Sequence, residues 1–73
     1  MEVIIIGAGS VGSSSAKELL SHHHNVTIID LKPEAISRSG IQNAQWVIGD
    51  ACELSVLRHA KPENADVVVA ASG

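Results

Sequence analysis

Short β-branched runs alternate with amphipathic stretches along the chain. Val3-Ile4-Ile5-Ile6 is continuously apolar and ends at Gly7. Without polar alternation it predicts a strand buried on both faces, as at the centre of a parallel sheet. Val11 to Ser21 predicts a helix, with Val11, Ala16, Leu19 and Leu20 on one side and Lys17 and Glu18 pointing away. Its triple serine, Ser13 to Ser15, has mediocre helix propensity, so packing must hold this stretch. A polar break from His22 to Asn25 precedes a second strand, Val26 to Ile29, closed by Asp30.

Pro33 suits the first position of a short helix, with Glu34 beside its positive dipole end and Gly40 as a left-handed cap. Gln45 to Ile48 predicts a third strand, ended by Gly49-Asp50. Leu54, Val56, Leu57 and Ala60 predict a third helix from about Cys52 to His59, stopped by Pro62. Val67 to Ala71 predicts a fourth strand of the buried type. The order β-α-β-α-β-α-β implies an α/β domain with right-handed crossovers and a parallel sheet. With helices on both faces it makes a three-layer, Rossmann-like half-domain of strand order 3-2-1-4.

Seventy-three residues leave room for one small domain, whose core is marginal by size. Trp46 is the only aromatic residue, so the core must be aliphatic. A net charge of −3 with five scattered basic residues excludes a nucleic-acid footprint, which needs a basic stripe and usually aromatic platforms. The longest apolar run is too short for direct membrane insertion or a signal-peptide core. Only Met1 and Glu2 precede it, and Cys52 has no disulfide partner; the expectation is a cytoplasmic chain without a leader.

Gly7-Ala8-Gly9-Ser10-Val11-Gly12 matches G-x-G-x-x-G, weak alone but here following a buried strand and opening a helix. Gly7 permits the tight turn, Gly9 lets a pyrophosphate approach the backbone, and Gly12 lets the helix sit close to the sheet. The amides and positive dipole at the helix start then bind phosphates without a lysine. Asp30, at the end of the second strand, completes the fingerprint by accepting from ribose hydroxyls, and it repels a 2′-phosphate, favouring NAD over NADP. Leu31 borders the same site, and Lys32 softens that repulsion. Asp30 could instead cap the helix begun at Leu31-Lys32-Pro33. Asp50 and Ala51 lie on the same carboxyl edge and border the adenine, with Asp50 either accepting from its amino group or capping the third helix. Ala71 and Ser72, small residues near the switch point between strands one and four, line the pocket or simply pack.

Val3 to Gly12, Val26 to Asp30, Gly49-Asp50-Ala51-Cys52 and Ala65 to Ala70 together resemble the N-terminal Rossmann segment of Trk-type potassium-uptake regulators, the TrkA-N (KTN, RCK) domains. The resemblance covers essentially the whole chain. It implies a cytoplasmic, non-catalytic regulator that binds NAD(H), or ATP and ADP in some members, and assembles on the membrane subunit of a potassium channel or transporter. Carried over, Gly7, Gly9 and Gly12 meet the phosphates, Asp30 the ribose and Asp50 the adenine side. The family's domain continues with further strands and helices, so residues 1–73 are expected to be its front half. An outer fourth strand would then favour self-association as a homodimer.

Other residues carry blander readings. His22-His23-His24 cannot converge on one tetrahedral metal and reads as a surface loop. His59 suits a helix end, Cys52 a small buried position, and Trp46 core or interface. No base or oxyanion partner accompanies Ser13 to Ser15. Two competing functions remain: the cofactor half of an NAD-dependent dehydrogenase, and a scaffold that folds but binds nothing.

Overall fold

The computed structural model describes residues 1–71. Its elements are β1 (Glu2–Ile6), α1 (Ser10–Ser21), β2 (Asn25–Asp30), α2 (Glu34–Ser39), β3 (Gln45–Ile48), α3 (Leu54–Ala60) and β4 (Val67–Ala70), with a single 3-10 turn at Pro62–Asn64 before β4. All pairings are parallel, and the four strands lie in the order β3-β2-β1-β4. This is the expected Rossmann-like arrangement.

β1 and β2 occupy the centre, each paired on both edges, and theirs are the strand side chains that are buried. Val3, Ile5, Val26 and Ile28 join Ala16 and Ile41 in the core under α1, while Ile4 and Ile29 are buried as well. Ile5, Ile28 and Ile29 are fully enclosed, each contributing about 1.5–3 kcal/mol of burial. Trp46 packs half-buried against this core and donates its indole N–H to the Ile41 carbonyl at 3.1 Å.

Three expectations need correction. Val11 is 68% exposed and faces away from the sheet. The inward stripe of α1 is Gly12, Ala16, Leu19 and Leu20, because the helix approaches β1 so closely that only a residue without a side chain fits at its first inward position. β4 is not a buried strand: Val67 and Val68 are 40% and 50% exposed, since β4 pairs only with β1 among the described residues. α3 begins at Leu54, not near Cys52, because Asp50 organises the preceding residues as a turn. Its carboxylate accepts from Cys52 N–H at 2.9 Å, and its carbonyl accepts from Glu53 N–H at 2.9 Å.

α2 ends at Gly40 with φ +70, as expected of a left-handed cap. α3 is closed by Lys61, itself left-handed at φ +54. The histidine run is a surface turn: His22 and His23 donate their N–H groups to the Leu19 and Leu20 carbonyls, and the His22 ring lies 3.2 Å from Glu18. Gly49 follows β3 at φ +155, where a Cβ would lie 2.7 Å from Val56 Cγ2. Gly49→Ala is therefore expected to cost about 1–3 kcal/mol, read as a lower melting temperature; an unchanged melt would mean that Val56 moves aside freely.

Candidate functional site

The carboxyl ends of β1, β2 and β3 form one continuous edge. Gly7 N–H donates to the Ile29 carbonyl and Gly49 N–H to the Asp30 carbonyl, both at 2.8 Å. The ladder therefore runs one step past each strand and sets Gly7, Asp30 and Gly49 side by side. Gly7 turns the chain with φ +97, a conformation that an L side chain rarely adopts. Gly9 then stands ahead of α1 in extended backbone, φ −72 and ψ −165. Its conformation does not demand glycine, so its bareness bears on access alone.

Gly12 is decided by packing. A Cβ there would lie 2.0 Å from the Gly7 carbonyl oxygen and 3.4 Å from the Ala71 Cβ. The bend thus folds back so far that its first carbonyl rests on the first inward residue of the helix. Ser13 fastens the loop twice: its N–H donates to the Gly9 carbonyl at 2.8 Å and its hydroxyl to the Ala8 carbonyl at 2.9 Å. An α-helix leaves its first amides without intrahelical acceptors, at the positive end of its dipole. Here those amides belong to Ser10, Val11 and Gly12.

Asp30 sits on the loop side of the sheet edge. Its Oδ2 accepts from Ala8 N–H at 2.8 Å, and its Oδ1 from Lys32 N–H at 3.0 Å. The carboxylate does not cap α2, whose cap position is Pro33. The Ala8 amide is consequently engaged by Asp30 and is not free for a phosphate, a coupling that spacing alone does not reveal. Each carboxylate oxygen accepts one backbone N–H and retains capacity for a second donor.

Behind this edge lies a cleft of about 290 Å³, bordered by Gly7, Asp30, Leu31, Asp50, Ala51 and Cys52 among others. Leu31 is 67% exposed at its rim. Cys52 is an exposed free thiol at this cleft, where the sequence suggests a small buried position. Ala71 packs against the core and donates its N–H to the Ile6 carbonyl at 2.9 Å, continuing β4 along β1. Ser72 lies outside the described residues. Among the described residues no three His, Cys, Asp or Glu side chains group as metal ligands, and no helix is long and apolar enough to cross a membrane.

Comparison with known proteins places the whole of this sequence in one family. The model of the TrkA-N domain family matches residues 3–73. The chain belongs to the TrkA-N family.

Across all of its residues, this TrkA-N domain is 45% identical to the Trk system potassium uptake protein TrkA of Mycobacterium tuberculosis, covering 33% of that protein. It is 35% identical to the Trk system potassium uptake protein TrkA homolog of Methanothermobacter thermautotrophicus, again over 100% of this chain and 34% of the relative. The TrkA-N domain thus spans about one third of the length of these curated relatives. Its shape also matches ChuY, an anaerobillin reductase from Escherichia coli O157:H7, with TM-score 0.79 at 25% identity over 100% of this chain and 37% of ChuY. A UDP-glucose 4-epimerase, 24% identical, superposes with TM-score 0.80 over 23% of its length and attests the fold alone.

Proposed function

We propose that this TrkA-N domain is the front half of a nucleotide-sensing, non-catalytic regulatory module in a potassium-uptake system. The ligand is NAD(H), with ATP or ADP as the other candidates. The observation that carries this reading is the junction of bend and acid. The bend relies on a bare Gly12 beneath the Gly7 carbonyl, and Asp30 binds Ala8 N–H while holding acceptor capacity toward the adjoining cleft. A phosphate would meet the α1 amides, and ribose hydroxyls would donate to Asp30. The adenine would lie against Leu31, Asp50 and Ala51. Ala71, at the end of β4, would line the same pocket.

The potassium-uptake assignment rests on the names of the relatives, 45% and 35% identical over the whole chain. The cytoplasmic, peripheral placement on a potassium channel or transporter subunit follows from the same likeness. The dehydrogenase alternative draws on the shape match to a reductase at 25% identity, which weighs less than the family match. Calorimetric titration with NADH, NADPH, ATP and ADP tests the binding claim; absence of a saturable heat with all four would sink it. Nucleotide-dependent potassium flux in vesicles carrying the membrane subunit and the intact regulator tests the role.

The outer position of β4 carries a further expectation. Its Val67 and Val68 are exposed beside a strand edge with no neighbour among the described residues. Such an edge pairs readily with another chain. The 73-residue chain is therefore expected to form a two-fold homodimer through β4, and light scattering that finds a monomer at high concentration would refute this.

A further inference from the structure

A second cleft, of about 470 Å³, opens on the other side of the same loop, between α1 and α2. Gly9, Ser10 and Ser14 line it, together with Lys17 of α1 and Arg38 of α2. The chain has only five Lys and Arg against eight Asp and Glu, so two cations lining one small groove is a local excess against an acidic background. Among the described residues neither is held in an ion pair; the one pair found is His22 with Glu18. The hydroxyls of Ser13 and Ser39 are spent on backbone carbonyls. Those of Ser10 and Ser14 have no bond among the described residues and are free to donate.

We infer that the α1–α2 groove is a binding site for a terminal phosphate group, with Lys17 and Arg38 as its counter-charges and Ser10 and Ser14 as donors. A terminal phosphate carries close to two negative charges at neutral pH, and a guanidinium with an ammonium matches that charge. The two phosphates of the NAD(H) pyrophosphate bridge carry one charge each and present no such end group. This inference deepens the nucleotide reading and rests on it for geometry. Ala8, Gly9 and Ser10 face this groove, whereas Gly7 and Asp30 face the 290 Å³ cleft. A ligand crossing the loop would keep its adenosine beside Asp30 and deliver a terminal phosphate to Lys17 and Arg38. The source of that phosphate is the end of an ADP or ATP chain, since the 2′-phosphate of NADPH would stay with the ribose beside Asp30.

The test compares the intact protein with the Lys17→Met/Arg38→Met double variant by calorimetry, using NADH, NADPH, ADP, ATP and inorganic phosphate at two salt concentrations. Both side chains are exposed, so the circular dichroism melt is expected to be unchanged. The expected result is about a 5- to 20-fold weakening of ADP and ATP, larger at low salt, with NADH and NADPH shifted less than twofold. A loss confined to NADPH overturns the site. NADH binding with no selective loss for ADP or ATP overturns this site while leaving the nucleotide pocket standing. Phosphate binding that the double variant abolishes, without binding of any nucleotide, supports the groove and sinks the pocket. No binding of any probe overturns both.

Discussion

Gly12→Ala is expected to lower the melting temperature of this domain by more than about 10 °C and to abolish nucleotide binding. The new methyl carbon would stand 2.0 Å from the Gly7 carbonyl oxygen and 3.0 Å from its carbonyl carbon. Both are backbone atoms of the bend, so no side-chain rotation relieves the overlap. Either α1 withdraws from β1, uncovering Val3, Ile5 and Ala16, or the bend opens and Gly7 gives up its bond to Ile29. Overpacking in a rigid site costs about 1–3 kcal/mol and more when backbone must move; at roughly 4–8 °C per kcal/mol for a domain of this size, the upper end gives the stated shift. A thermal melt by circular dichroism checks it. A variant that melts within about 3 °C of the parent and still binds would mean that the close approach is not what glycine is needed for.

Asp30→Ala is expected to weaken NADH by about 10- to 100-fold, the loss of two charge-assisted hydrogen bonds, while narrowing the preference for NADH over NADPH. The structure adds a contribution that a ribose-only role lacks. Asp30 also holds Ala8 N–H at 2.8 Å and Lys32 N–H at 3.0 Å, so its removal frees both the glycine loop and the segment entering α2. Asp30→Asn separates the two effects. Its amide oxygen can still accept from one of these N–H groups, but it lacks the charge that repels a 2′-phosphate. The asparagine variant should therefore keep most of the parent's stability while losing its discrimination against NADPH. If both variants bind NADH and NADPH in the parent's ratio, Asp30 is a loop fastener and not a ribose ligand.

The link between Asp30 and Ala8 also bears on how the site is ordered before a ligand arrives. On the proposed reading, the residue that would select the sugar is hydrogen-bonded to the loop that would meet the phosphates, so a ligand that pulled on one would move the other. The Ser13 hydroxyl, bonded to the Ala8 carbonyl at 2.9 Å, ties the same peptide segment to the first turn of α1. If the domain is a regulator, as proposed, its ligand must be felt beyond the pocket, and this chain of bonds from β2 through the loop to α1 would supply a physical route.

Much of this was legible in the sequence because it depends on local chemistry. β-branched runs without polar alternation mark β1 and β2 as central parallel strands, since no other placement buries both faces. Gly7-Ala8-Gly9-Ser10-Val11-Gly12 between strand and helix marks the bend, and Gly40 marks the end of α2, because positive φ excludes most side chains. The family likeness was legible for the same reason: its residues are the ones that fix this backbone. Tertiary structure alone decided the rest. The glycine motif marks Gly12 for a close approach to the sheet, but helical periodicity also puts Val11 inward, and only the packing of α1 against the Gly7 bend shows that Val11 faces out. β4 reads as buried from composition, yet its exposure depends on what lies beside it in space. That Asp30 engages Ala8, and that Lys17 and Arg38 share a groove, are contacts between separate elements. Spacing along a chain cannot report them, because hydrogen bonds and charge act through distance in space.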